Sequence, residues 1–154
     1  MAQIEIGMKA PDFALPDGFD NEIHLSDFAG KKVLLSWHPL GWTSVCTDQM
    51  RSLDANFEKF QALNTVALGM SVDPAPSKKA WSAVLAIDNT KLLSDFWPHG
   101  KVASDYGIFM DEYGFSKRVN IIIDEKGIVQ WVKVYDLGEL PDIKEVLDVL
   151  AKMK

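Results

Sequence analysis

The sequence has 154 residues, 47% of them hydrophobic, with five Trp, eight Phe and a single Cys. This length suits one domain over residues 1–154, and the apolar content is enough for a core without disulfide bonds. The formal net charge of −6 argues against nucleic acid or an anionic membrane surface as a partner. One cysteine excludes an intramolecular disulfide, and no signal sequence is recognisable, so we expect a soluble, cytoplasmic protein.

The N-terminal part of the chain predicts a hairpin followed by a buried strand. Residues 13–15 and 22–25 flank the turn-forming residues 16–18, which is the pattern of a short β-hairpin. Residues 33–37 form a short apolar run, typical of a strand that is covered on both faces. This strand ends before Pro39.

A helix that begins near Thr43 or Ser44 is predicted next. Either hydroxyl can cap its first turn, and apolar side chains recur from Cys46 to Phe60 with the period of a helix. Cys46 therefore lies in the first turn, on the inward face. Unpaired N–H groups and the helix dipole favour a thiolate there, but burial as a small hydrophobe explains a lone cysteine equally well.

The remaining elements complete an α/β pattern that ends in a helix opened by Pro141. We predict a buried strand at 66–72, followed by a helix that Ser77 could cap and that carries Trp81, Val84 and Leu85. One or two helical turns are predicted at 101–106, and a hairpin is predicted for residues 119–123 and 128–134. The order predicts a thioredoxin-like fold: a mixed central sheet flanked by helices, with an N-terminal β-hairpin. Ligands bind such sheets at the carboxyl ends of strands, where residues 39–46 are predicted to lie.

The position of Cys46 alone would not make an efficient enzyme. A thiol whose pKa falls from about 8.5 to about 6 goes from roughly 3% to roughly 90% ionised at neutral pH. Its nucleophilicity falls roughly thirteenfold at the same time, so the net gain is only about twofold. Most of any acceleration must therefore come from groups that stabilise a transition state.

The sequence offers a hydroxyl and a cation for this purpose. Thr43 precedes Cys46 by about one helical turn, so its hydroxyl could reach the same small ligand as well as cap the helix. Arg118 could supply a positive charge, although a solvated charge at a strand end explains it as well. His38 could lie near the thiol as a cation or base, or pack in the core. No metal-ligand spacing, phosphate-binding loop or dinucleotide fingerprint is recognisable.

The spacing Pro39-x-x-x-Thr43-x-x-Cys46 resembles the peroxiredoxin family, in its alkyl hydroperoxide reductase/thiol-specific antioxidant branch. Further matching motifs follow in order through nearly the whole chain: Asp12-Phe13, Ser71-Val72-Asp73-Pro74, Leu93-Ser94-Asp95, Tyr106-Gly107, and Arg118 six residues before Asp124. The length and the single cysteine look most like the short, bacterial one-cysteine type. The resemblance implies a peroxidase that reduces hydrogen peroxide and organic hydroperoxides and requires no metal, haem or flavin.

The resemblance also implies roles for individual residues. Cys46 would be the peroxidatic thiolate, and Thr43 would hydrogen-bond the bound peroxide. Pro39 would shield the thiol, while Arg118 would favour the thiolate and stabilise the charge that develops on the peroxide. Four further residues are expected around the substrate pocket, although core packing explains the tryptophans almost as well: Trp42, Gln49, Trp81 and His38.

The chain departs from the family pattern near the cysteine. Gln49 stands where glutamate is common, which weakens an ionic link but leaves a hydrogen-bonding role. Arg51 stands where some relatives place a resolving cysteine. Because every copy has only Cys46, the resemblance implies an external thiol reductant: thioredoxin, glutaredoxin or a low-molecular-weight thiol. A homodimer is also expected.

Two other functions remain open from the residues alone. One is a thioredoxin-fold redox sensor or binding protein, in which oxidation of Cys46 alters contact with a partner. The other is a thiol transferase that uses one cysteine. Peroxide turnover would separate both from a peroxidase.

Overall fold

The structure is a computed structural model that describes residues 2–153. Its strands are β1 (Ala14–Pro16), β2 (Glu22–His24), β3 (Lys32–Trp37), β4 (Thr65–Ser71), β5 (Lys91–Ser94), β6 (Phe109–Met110), β7 (Phe115–Ser116), β8 (Arg118–Ile123) and β9 (Val129–Tyr135). Its α-helices are α1 (Ser44–Ala55), α2 (Phe57–Ala62), α3 (Ala75–Val84), α4 (Lys101–Asp105) and α5 (Ile143–Lys152). Over residues 2–153, no helix combines the length and apolar character that crossing a membrane requires.

The central sheet has five strands in the order β5-β4-β3-β8-β9. The first three of these are parallel to one another, whereas β8 pairs antiparallel with β3, and β9 pairs antiparallel with β8. The strands β1 and β2 form a separate antiparallel hairpin. The predicted thioredoxin-like fold, with its mixed sheet and N-terminal hairpin, is confirmed.

Buried side chains fill both faces of the sheet. Successive residues of a strand point to opposite faces, so Leu34 and Leu35 of β3 belong to different core clusters. The cluster that contains Leu34 packs helices α1, α2 and α5 onto the sheet, with side chains that include Cys46, Met50, Leu53, Phe60, Val146 and Leu150. Burying each large apolar side chain contributes about 1.5–3 kcal/mol, which fixes the helix that carries the cysteine.

The structure corrects several predicted boundaries. The apolar repeat that begins at Cys46 is divided between two helices, which meet at Asn56. Helix α3 begins two residues before Ser77, because a proline is favourable in a first helical turn. Val84, at its end, is exposed rather than packed.

Two further differences concern the second half of the chain. Pro141 precedes the last helix, and Asp142 caps that helix by accepting a hydrogen bond from the N–H of Lys144 at 2.9 Å. The short strands β5, β6 and β7 were not predicted, because runs of two to four residues carry too little periodicity.

Gly69 in β4 allows α1 and β5 to approach closely. A Cβ atom at this position would collide with Met50 Sδ and come within 2.6 Å of Leu92 Cδ2. Because both neighbours are buried, Gly69→Ala should lower the free energy of unfolding in urea by about 1–3 kcal/mol. The control is Gly138→Ala, where a Cβ atom meets nothing within 4 Å and a change within about 0.5 kcal/mol is expected. Equal losses for the two variants would contradict this packing.

Candidate active site

The Cys loop, residues 39–45, connects β3 to the cysteine. Two hydrogen bonds attach this loop to its surroundings: the N–H of Gly41 donates to Asp73 Oδ2 at 2.8 Å, and Trp42 Nε1 donates to Ser77 Oγ at 3.0 Å. Trp42 has a left-handed backbone with φ of 68°, which costs energy for a bulky residue and persists only where the surroundings hold it. The loop therefore has a fixed shape against α3.

Cys46 is the third residue of α1 and is only 1% exposed. The N–H groups of a first helical turn lack partners within the helix and favour negative charge nearby. Cys46 also lies at one side of a cavity of about 280 Å³. The thiol is thus buried in the protein but can be reached by a small molecule that enters this cavity.

Arg118 contacts the thiol, although 72 positions separate the two residues. Its Nη1 donates to Cys46 Sγ at 3.3 Å. The pairing of strands in the sheet explains this contact, because Trp37 of β3 pairs with Val119 of β8. Arg118, one residue earlier, therefore lies beside the carboxyl end of β3, where the Cys loop begins.

Three hydrogen bonds hold the Arg118 guanidinium in this orientation. Its Nη1 also donates to Gln49 Oε1 at 2.7 Å, while Nε and Nη2 both donate to the carbonyl oxygen of Leu137, at 3.2 and 2.7 Å. A planar guanidinium bound on two edges cannot rotate without losing these bonds. These bonds therefore hold one N–H of Nη1 toward the thiol.

The electrostatics of this site favour an anion at the sulfur. Arg118 is 3% exposed, remains charged, and has no carboxylate oxygen within 4.0 Å among residues 2–153. A buried cation with only neutral acceptors retains much of its desolvation cost. An ionised Cys46 would supply the missing counter-charge.

Gln49 connects Arg118 to strand β3. Its Oε1 accepts from Arg118, and its Nε2 donates to Ser36 Oγ at 2.8 Å and to the Trp37 carbonyl at 3.2 Å. A glutamate could not donate to that carbonyl. The amide therefore combines an acceptor for the guanidinium with a donor for the strand, and it adds no negative charge to compete with the thiolate.

The cavity beside the thiol is mostly apolar, and Thr43 and Ser44 contribute hydroxyl groups to its lining. The Thr43 hydroxyl donates its hydrogen to the Leu40 carbonyl at 2.8 Å, which leaves its oxygen free to accept a hydrogen bond. Thr43 occupies the N-cap position of α1, but its side chain makes no capping hydrogen bond, so its oxygen is available to a donor inside the cavity. The lining consists of Pro39, Leu40, Thr43, Ser44, Val45, Cys46, Phe115, Arg118 and Leu137.

Four residues expected around the pocket do not line this cavity. Trp42 is 53% exposed and its indole is directed to α3 by the bond to Ser77. Trp81 and His38 are buried, with ring centroids 5.4 Å apart. Gln49 lies behind the guanidinium that it binds. Their contacts support the site, and their expected contact with a substrate stays a prediction.

His38 is uncharged in this environment. Burial lowers the pKa of His38 well below its usual value, and the positive charges of Lys78 and Arg118 act in the same direction. It therefore does not act as a second cation beside the thiol.

Sequence reasoning missed three contributors to the site. Leu137 acts through its backbone carbonyl, and a pattern of side chains cannot predict such a role. Phe115 belongs to β7, which was too short to predict. Lys78 could have been noticed, because it lies three residues before Trp81 and so shares an inward face of α3.

Comparison with known proteins identifies the family. The model of the AhpC/TSA family matches residues 6–132. The chain belongs to this family. The peroxiredoxin resemblance carried by Pro39, Thr43 and Cys46 is therefore confirmed at the level of the family, and the single cysteine fits the one-cysteine type.

Individual AhpC/TSA relatives match over nearly the whole chain. Alkyl hydroperoxide reductase E of Mycobacterium tuberculosis is 34% identical, over 97% of this chain and 98% of the relative. The chloroplastic 2-Cys peroxiredoxin BAS1 of Hordeum vulgare is 33% identical, over 97% and 75%. The crystal structure of the reduced 2-Cys peroxiredoxin of Plasmodium vivax superposes with a TM-score of 0.83 at 34% identity, covering 95% of this chain and 80% of that one.

Removing the acceptor at position 49 should release the guanidinium. Because a hydrogen bond to a charged group contributes about 1.5–3 kcal/mol, we expect Gln49→Leu to slow the reaction of Cys46 with hydrogen peroxide by roughly 10- to 100-fold. The rate can be followed as loss of thiol titre, since each chain has one cysteine. Gln61→Leu, at an exposed position of α2, is the control. An unchanged rate in Gln49→Leu would show that Gln49 does not position Arg118.

Proposed function

We propose that the chain is a one-cysteine, thiol-dependent peroxidase that reduces hydrogen peroxide and organic hydroperoxides. The observation that supports this most strongly is the 3.3 Å contact of Arg118 Nη1 with Cys46 Sγ beside a cavity of about 280 Å³. This arrangement combines a buried nucleophile, a fixed donor and a space of the size a small substrate needs. Membership of the AhpC/TSA family agrees with thiol-dependent peroxidase chemistry.

The first step is attack by the Cys46 thiolate on the nearer oxygen of the peroxide. A sulfur–oxygen bond forms as the oxygen–oxygen bond breaks, and the leaving oxygen takes the bonding pair and a proton to depart as water or an alcohol. Thr43 accepts a hydrogen bond from the peroxide O–H and aligns it with the sulfur. Arg118 stabilises the negative charge as it moves from sulfur to oxygen, where a fixed donor is most effective. Cys46 is left as a sulfenic acid.

The cavity lining supports both classes of peroxide. Arg118 contacts the sulfur, Thr43 and Ser44 add hydroxyl groups, and the rest of the lining is largely apolar. Hydrogen peroxide needs only the polar groups. An organic hydroperoxide can place its carbon chain against Leu40, Val45 and Phe115, where burial of apolar surface favours binding.

Reduction of the sulfenic acid requires thiols from outside the chain. One thiol condenses with the sulfenic acid, releases water and forms a mixed disulfide. A second thiol attacks that disulfide, restores Cys46 and leaves with the first as an oxidised pair. The donor is thioredoxin, glutaredoxin or a low-molecular-weight thiol. Because the chain holds no second cysteine to intercept the sulfenic acid, excess peroxide overoxidises it.

We also propose that the chain forms a single thioredoxin-like domain, that two copies form a homodimer, and that the protein is cytoplasmic.

Turnover with a thiol donor tests this function. With hydrogen peroxide or an organic hydroperoxide, and glutathione, thioredoxin or glutaredoxin in separate assays, the wild type should consume many equivalents of peroxide. Cys46→Ser should consume none, because the only nucleophilic sulfur is absent. Peroxide consumption is measured directly, so that oxidation of the thiol donor alone is not mistaken for catalysis.

Two results would contradict a peroxidase. If Cys46 is oxidised once and no donor supports a second equivalent, the site is that of a redox sensor. If mixed disulfides are reduced but peroxides are not, the chain is a thiol transferase.

A further inference from the structure

Lys78 in α3 is a buried lysine that the proposed mechanism does not use. It is 1% exposed, whereas lysines are almost never buried completely unless they are paired. Within residues 2–153 its ammonium has no carboxylate oxygen within 4.0 Å. Its hydrogen-bond partners are Ser71 Oγ at 2.6 Å and His38 Nε2 at 3.4 Å. An apolar side chain of similar size would avoid this desolvation cost.

The first partner connects Lys78 to the Cys loop. Ser71 Oγ donates to Asp73 Oδ2 at 2.6 Å, and the same carboxylate oxygen accepts the N–H of Gly41 at 2.8 Å. A Cβ atom on Gly41 would come within 3.3 Å of both that oxygen and the Trp81 ring. The hydrogen-bond chain thus ends on a part of the loop that is packed closely against α3.

The second partner leads to the start of the same loop. His38 directly precedes Pro39 and is fully buried. Because its imidazole is neutral, Nε2 can accept a hydrogen bond from the Lys78 ammonium. The backbone of His38 is fixed as well, since its N–H donates to the Met70 carbonyl at 3.0 Å.

We propose that Lys78 is a positioning residue for the reaction at Cys46. It fixes the Cys loop through the hydrogen-bond chain that ends at Gly41 and through the imidazole of His38. Its ammonium also adds a second buried positive charge to the surroundings of the thiolate, besides that of Arg118. This inference rests on the proposed peroxidase function and assigns a further residue to it.

The charge of Lys78 changes close to neutral pH. Burial lowers the pKa of Lys78 to about 7, while the negative charges of Asp73, Cys46 and Asp95 act in the opposite direction. An ionised Cys46 therefore favours the charged lysine, and by reciprocity the charged lysine favours the thiolate. As the pH rises through about 7, the lysine loses its proton, and the charge-assisted bond to Ser71 is lost with it.

Other titratable groups surround the lysine on several sides. His38 follows β3, Asp73 follows β4, Asp95 follows β5, and Cys46 lies on α1. Across an adjoining cavity that Lys78 also lines are Asp17, Asp88 and Lys91. Burial also raises the pKa of Asp95 to about 6. The Asp95 carboxylate accepts the N–H groups of Val102 and Ala103 in α4, whereas Lys78 is connected to Gly41 of the Cys loop through Ser71 and Asp73.

The test compares Lys78→Met with Lys79→Met, a control at the next, exposed position of the same helix. Alkylation by iodoacetamide across a range of pH gives the fraction of Cys46 that is ionised. The rate of thiol loss with hydrogen peroxide, divided by that fraction, gives the rate constant of the thiolate itself. In the wild type and in Lys79→Met this constant should fall roughly tenfold as Lys78 loses its proton.

In Lys78→Met the rate constant of the thiolate should equal the lower, high-pH value of the wild type at every pH, because no lysine is present to lose a proton. Lys78→Arg, which stays charged, should show no fall above neutral pH. A Lys78→Met profile that coincides with the wild type would overturn the proposal. If Lys78→Met does not fold, Ser71→Ala cuts the hydrogen-bond chain to Gly41 while keeping the lysine and its contact with His38, and an unchanged thiolate rate constant in that variant overturns the positioning of the Cys loop through Ser71.

Failure of the peroxidase function itself would look different. In that case no thiol donor supports peroxide turnover by the wild type. The iodoacetamide profiles would still report whether Lys78 acts on Cys46, because alkylation requires no peroxidase activity.

Discussion

A buried guanidinium that has no carboxylate partner within residues 2–153 is the constraint on which this site depends. Arg118 is fixed by the Gln49 amide and the Leu137 carbonyl, both of them neutral, and Nη1 also donates to Cys46 Sγ. The charge of the arginine is therefore available to the sulfur and to whatever the sulfur attacks. A carboxylate in the place of either acceptor would take part of that charge away.

The fold brings this contact about through strand order. Because β8 runs antiparallel to β3 and next to it, the first residue of β8 lies where the Cys loop leaves the sheet. Helix α1 then carries Cys46 and Gln49 on the face that packs against the sheet. On the other side, α3 and the end of β4 hold the loop through Asp73 and Ser77. The nucleophile is thus held from two directions by elements distant in sequence.

Much of the architecture could be predicted from periodicity. The buried strands, the inward face of α1 and the two hairpins follow from apolar spacing, and the mixed sheet follows from the order of elements. The resemblance to a family pointed to Arg118, which spacing could not place beside Cys46. Leu137 was beyond prediction, because a carbonyl contributes the same atoms whatever the side chain. The orientations of the Trp42 and Trp81 rings were also beyond prediction, because spacing near a cysteine does not tell which way a ring points.

Positive charge near the Cys46 thiol has two effects that sequence motifs cannot separate. One is to favour the thiolate before the peroxide arrives, and the other is to stabilise charge as it moves onto the leaving oxygen. The arithmetic of thiol ionisation shows that the first effect gains only about twofold in rate. The geometry of Arg118 suits the second, since its N–H groups are held in place before the reaction begins.

The most direct test is the rate constant of the fully ionised thiol in Arg118→Ala. Iodoacetamide alkylation identifies the pH at which ionisation is complete, and the loss of thiol with hydrogen peroxide is then measured at that pH. We predict a fall of roughly 10²- to 10³-fold relative to the wild type, with little change in Arg51→Ala, which alters an exposed arginine of α1. If Arg118→Ala reacts with peroxide as fast as the wild type once its thiol is ionised, Arg118 does not stabilise the transition state and the central claim is wrong.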